Sequence, residues 1–204
     1  MTLYSSEYCL DSHRVRVVLA EKGLNVEIIH LEQDRPAMAD LAEINPYGEP
    51  PTLVDRDLAV YGTWVVTDYL DERYPHPPLM PIDPVSRSRL RLAMYRIKRD
   101  WLTNGKIIET STGAKRIETA RKQLREGLIE ADGLFGLSPF LLNDELSLVD
   151  CALLPLLWRL PAYDIDLPAR STVNLQRYMD RMFARDAFQR SLTAVERAAR
   201  EGQA

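Results

Sequence analysis

The 204-residue sequence is poor in the residues that build disulfide frameworks, metal sites and phosphate loops. It holds only two cysteines, Cys9 and Cys151, in contexts that read as different domains. No structural disulfide is expected, and a reducing compartment such as the cytoplasm is the expected setting. His13 and His30 stand singly, with no Cys, Asp or Glu at ligand spacing, so no metal site is expected. Gly23, Gly48 and Gly62 do not form a phosphate-binding loop. No apolar run approaches the roughly 18–20 residues of a membrane span. The opening MTLYSSEYCLD lacks a basic region followed by an apolar stretch, so neither a secretory signal nor a membrane partner is expected. Without zinc spacing or a helix-turn-helix pattern, and with an acidic chain as a whole, direct sequence-specific nucleic acid binding is not expected.

What is present is an ordinary globular composition, 46% hydrophobic and 27% charged, with an uneven charge distribution. Residues 1–84 carry 6 basic and 15 acidic side chains, a net −9, whereas residues 85–125 carry 12 basic against 3 acidic, a net +9. Arg87, Arg89, Arg91, Arg96, Lys98 and Arg99 are too dense for one helix face. They suit solvated basic helix faces, or contact with phosphates (a regulatory nucleotide among them), an acidic partner surface or a second subunit.

Residues 1–5 alternate and read as a short strand. Ser12, Val15, Val18, Leu19 and the closing Gly23 describe an amphipathic helix. Val26–Leu31 reads as a second strand, and Pro36–Ile44 as a short helix. Two runs, 52–55 and 58–61, flank Arg56-Asp57 as a hairpin. Thr63–Tyr74 has helical spacing. The order β-α-β-α-β-β-α predicts a compact α/β unit with a mixed sheet. Residues 74–84 hold five prolines and cannot be helix or central strand. Beyond them, residues 85–108, 114–136, 147–160 and 171–200 carry only helical periodicity. The predicted layout is an α/β domain over 1–74, a proline-rich linker over 75–84 and an all-helical domain over 85–204. Trp158 reads as core, and Tyr95 and Trp101 as core or interface. Ser147 and Asp150 have the spacing of a capping box.

Four motifs in register, Tyr4-Ser5 with Ser12–Arg16, Pro51–Asp55, Tyr69-Leu70 and Ser147–Asp150, resemble the glutathione-S-transferase family across nearly the whole chain. The resemblance implies an α/β plus all-α fold, with a thioredoxin-like N-terminal domain and a helical-bundle C-terminal domain. The runs Val17–Gly23, Pro51–Arg56, Tyr69–Pro81, Ala120–Glu126 and Ser147–Leu160 carry a closer resemblance, and Tyr69–Pro81, far longer than a fold signature needs, is the specific one. They are similar to a branch of that family without transferase activity. It implies a homodimer that joins the RNA polymerase holoenzyme and alters transcription under stress. Its partner-binding surface falls on Tyr74, Pro75, His76, Pro77 and Pro78, a stiff segment suited to recognition.

The same resemblance places a vestigial glutathione site at Cys9, Pro50, Pro51, Gly62 and Thr63. Pro51 matches the family's cis-proline, and the residue before it normally pairs with the ligand backbone through both N–H and C=O. Here that residue is Pro50, which has no N–H. A ligand carbonyl left unpaired there costs about 1–3 kcal/mol, roughly 5- to 150-fold in affinity. The family's Glu-Ser anchor is replaced by Gly62-Thr63, which keeps a hydroxyl but no carboxylate. No cofactor is therefore expected. The alternative is a cysteine-type glutathione transferase or thiol reductase using Cys9. Arg14 and His13 are placed to favour its thiolate, and Glu7 and Asp11 to oppose it. Ser5, Ser6 and Tyr8 are nearby hydroxyls without a recognisable base.

Overall fold

The computed structural model describes residues 1–32 and 35–202. Its chain divides into two compact units. The first is Met1–Pro77 together with Asp186–Ala198, and the second is Pro78–Arg185 with the last residues from Ala199. The segment Asp186–Ala198, assigned above to the helical domain, is thus grouped with the first unit.

The first unit is built on a four-stranded sheet of order β2-β1-β3-β4. Strand β1 (Thr2–Ser5) pairs in parallel with β2 (Glu27–His30) and antiparallel with β3 (Thr52–Asp55), which turns into β4 (Leu58–Tyr61). Helices α1 (Leu10–Glu21), α2 (Arg35–Ile44) and α3 (Thr63–Arg73) complete the mixed α/β unit. Leu3 and Leu53, opposite one another in the register, are fully buried, and Val66 and Leu70 bring α3 into the core. Helix α1 ends as its sequence dictates. Gly23 takes φ +64°, its N–H reaches Ala20 O at 3.1 Å, and Leu24 N–H reaches Leu19 O at 2.9 Å. That pair of bonds satisfies the last carbonyls and requires a left-handed residue.

The periodicity of α1 predicts a helix with one apolar face, yet every residue from Ser12 to Leu19 is buried, including His13, Arg14 and Arg16. The polar side is covered by the C-terminal helices α9 (Asp186–Ser191) and α10 (Ala194–Glu201), whose residues His13 and Arg16 contact directly.

The second unit is helical. Helix α4 (Pro84–Ile97) buries Leu90, Ala93, Met94 and Ile97 on one face, and Asp83 caps it by accepting from Ser86 N–H at 2.7 Å. A wide π-helical turn over Lys98–Leu102 leads into α5 (Thr103–Thr110). Helix α6 (Ala114–Glu130) buries Ala120, Leu124 and Leu128, four residues apart, as a core stripe. Trp101 is buried and stacks on Phe135, while Tyr95 is exposed. Trp158, expected in the core, is half-buried and meets Phe183 edge-on. Helix α8 (Val173–Phe183) follows. Among the described residues no helix is long and apolar enough to cross a membrane.

Helix α7 (Leu148–Trp158) is buried from Leu148 through Leu157 and opens with the capping box. Ser147 N–H donates to Asp150 Oδ2 at 2.9 Å, and Ser147 Oγ accepts from Val149 N–H at 3.2 Å. Asp150 also accepts from Leu141 N–H at 2.9 Å and the Tyr178 hydroxyl at 2.7 Å. Burial, and then the facing Asp150 carboxylate, push the Tyr178 phenol well above its ordinary 10.0. The unfolded chain releases this proton near pH 10 while the folded chain keeps it, so stability falls as pH rises beyond that point. The expected result is a steeper loss of melting temperature from pH 9 to pH 11 in the wild type than in Tyr178→Phe. Equal slopes would refute it.

Candidate functional site

The strand register brings the expected glutathione-site residues to one end of the sheet. Tyr4 faces Thr52 and Thr52 faces Tyr61, so Ser5, Pro51 and Gly62 follow at the same edge. The loop from Ser6 to Cys9 enters α1 there, and Thr63 begins α3. The Pro50–Pro51 bond is cis, as expected for Pro51. Gly62 is the N-cap of α3 with φ +79°, a conformation that favours glycine. Thr63 is buried at the first turn.

Cys9 is half-buried at the N-cap of α1, makes no capping bond with its side chain, and lies outside any disulfide. Arg14 is close enough for its charge to act on Cys9. Burial draws the Arg14 guanidinium below its ordinary range, and Asp11 and then Cys9 oppose that. Asp11 holds Arg14 at 2.9 Å and competes with the thiol for its charge. His13, which the sequence offers beside Arg14 as a helper of the thiolate, is engaged by the C-terminal helices. Its ring is fully buried, with Nε2 3.0 Å from Ser191 Oγ and Nδ1 3.3 Å from Glu196 Oε1. The reason is the covering of α1 by α9 and α10, which turns this side chain into the core.

Of the alternative hydroxyls, Ser5 is fully buried and accepts from Arg16 Nη1 at 2.7 Å. Ser6 donates to Glu32, which also accepts from Glu7 N–H at 3.1 Å. Burial raises the Glu32 pKa, but these hydrogen bonds outweigh it and hold the carboxyl below its usual range. Glu32 thus fastens the loop before Cys9, a role with no sequence signal. Among the described residues no cluster of His, Cys, Asp and Glu is arranged to hold a metal ion.

The second expected site lies at the far end of α3, about 16 Å along an 11-residue helix from Thr63. Tyr74 is half-buried, under the Arg73 guanidinium at 5.4 Å, and Pro75, His76, Pro77 and Pro78 are exposed. The His76–Pro77 bond is cis.

A thioredoxin-like sheet carrying a cis-proline before β3, in a chain whose second unit is all-helical, is the architecture of the glutathione S-transferases. The chain matches the glutathione S-transferase N-terminal domain over residues 3–78 and the C-terminal domain over 85–186. Its fold is similar to that of BphK, a bacterial glutathione S-transferase solved as a ternary complex, with a TM-score of 0.81 at 24% identity over 98% of this chain and 99% of that one. A stringent starvation protein A homolog from Coxiella burnetii is 48% identical over 201 residues, 98% of this chain and 95% of that protein. One from Haemophilus influenzae is 43% identical over 94% of this chain and 90% of its own length. The chain belongs to the stringent starvation protein A homologs of the glutathione S-transferase family.

The site chemistry carries a direct expectation. Reduced glutathione titrated into the protein at pH 7 gives no detectable heat, because Pro50 lacks the donor and Gly62 the carboxylate. Micromolar binding would refute that reading.

Proposed function

We propose that the chain is a non-enzymatic, RNA polymerase-associated regulator of transcription in the starvation stress response, acting in the cytoplasm as a homodimer. The observation that carries this reading is the exposed segment Pro75–Pro78 at the exit of α3. A run of exposed prolines around a histidine offers a partner a surface that loses little entropy on binding. The names of the curated relatives support it, as does the loss of ligand-holding groups at Pro50 and Gly62. Apolar side chains left in water support dimerisation: Tyr47 and Val65 in the first unit, and Leu92 and Tyr95, three residues apart on α4, in the second. The test is retention of core and σ subunits of bacterial RNA polymerase on the immobilised chain. An immobilised chain that retains no polymerase removes the reading.

A cysteine-type transferase or thiol reductase is the second reading, favoured by the position of Cys9 at the mouth of α1 within reach of the Arg14 charge. Thiol exchange that disappears in Cys9→Ser supports it. Activity that survives that change, or none in the wild type, excludes it.

A further inference from the structure

The Lys22 side chain is fully buried at the end of α1, and its ammonium meets three acceptors. Nζ lies 2.8 Å from Asp71 Oδ1, 2.7 Å from the Tyr74 carbonyl and 2.8 Å from the Pro77 carbonyl. An ammonium has three N–H donors and no acceptor, so this set saturates it. Two of the acceptors bracket Pro75 and His76, both exposed.

The sequence of the segment explains why it needs an outside donor. Pro75, Pro77 and Pro78 have no backbone N–H, so between residues 75 and 78 only His76 has one. The segment cannot tie itself with its own backbone bonds, and the N–H of Tyr74 is already spent on Leu70 O at 3.1 Å. A buried cation supplies the missing donors, and Asp71, only 7% exposed, balances its charge.

We propose that Lys22 is the positioning residue of the docking segment, clamping both ends of the Pro75-His76 bulge so that the two side chains are presented in one fixed arrangement. This rests on the reading of Tyr74–Pro78 as the polymerase-binding surface, and adds how that surface is held. A surface fixed before contact loses less freedom on binding than one ordered by its partner.

The test uses three proteins: wild type, Asp71→Asn, and the double variant Lys22→Met with Asp71→Asn. The single variant keeps the two Lys22–carbonyl bonds. The double variant removes both charges together, so no buried ion is left unpaired. The first measurement is nuclear relaxation of the His76 ring in the free protein. Restricted motion in the wild type and Asp71→Asn, with fast large-amplitude motion in the double variant, is expected. Equal order in all three overturns the proposal, whatever polymerase does.

The second measurement is affinity for purified RNA polymerase holoenzyme. The double variant is expected to bind at least about tenfold more weakly, with a smaller loss in Asp71→Asn, which keeps the two carbonyl bonds. That loss should vanish when Pro75, His76 and Pro77 are already alanine, because Lys22 acts through them. A loss that persists undiminished in the alanine background places the effect elsewhere and overturns the proposal. Failure of the wild type to bind polymerase sinks the functional reading alone, since the His76 measurement still decides the role of Lys22.

Discussion

Replacing Pro75, His76 and Pro77 together by alanine is expected to weaken binding to RNA polymerase holoenzyme by about 100-fold or more while leaving the melting temperature nearly unchanged. The affinity part follows from the exposure of all three side chains. A central cluster of partner-contacting residues carries most of an interface's energy, and about 2.7 kcal/mol spread over three of them gives a factor of 100. The alanines also free a backbone that proline holds at fixed φ, which adds an ordering cost on binding. The stability part follows because none of the three side chains lies in the core. Titration of labelled polymerase with each protein, beside thermal unfolding, separates the two effects. An unchanged affinity would remove these residues from the interface. A large drop in melting temperature would mean that they act through the fold.

The largest effect on stability is expected at Glu196. Its side chain is fully buried, accepts from Arg16 Nη2 at 2.6 Å and from Thr193 N–H at 3.0 Å, and faces His13. Arg16, itself 4% exposed, also donates to Ser5 Oγ, to the Ser6 carbonyl at 2.9 Å and to the Ser191 carbonyl at 3.0 Å. One guanidinium therefore joins the end of β1, helix α1 and the C-terminal segment of the first unit. Glu196→Ala strips the counter-charge from a buried cation that cannot be deprotonated at any ordinary pH. Breaking a buried pair from one side costs about 3–5 kcal/mol, a large part of the roughly 5–15 kcal/mol that holds a domain folded. Urea unfolding should show that loss in Glu196→Ala and a smaller one in Glu196→Gln, which keeps the shape and an accepting oxygen. A change below about 1 kcal/mol in Glu196→Ala would mean that water reaches Arg16 and the network holds little.

This network marks where sequence reasoning stops. The strands, the Arg56-Asp57 hairpin, the glycine stop at Gly23 and the Ser147–Asp150 box were legible because each depends on neighbours a few residues away. His13 and Arg16 were not, because what covers them lies 178 and 180 residues further along. From the sequence they look like the wet side of an amphipathic helix, and His13 like a thiolate's helper. At the glutathione site, Pro50, Pro51 and Gly62 were legible because proline and glycine state their backbone chemistry directly. Glu32 was not, since a lone acid carries no sign of the hydroxyl and amide it will meet. Lys22 shows the same limit. It reads as an ordinary cation at the end of a helix, and only the fold brings Asp71 and two carbonyls to it.

Sedimentation of the wild-type chain with purified RNA polymerase holoenzyme at physiological salt tests the proposed function most directly. A shift of the chain into the polymerase boundary, reversed by unlabelled chain and absent with the triple alanine variant, is the expected result. A chain that sediments alone at every polymerase concentration would contradict it, and would direct attention to Cys9.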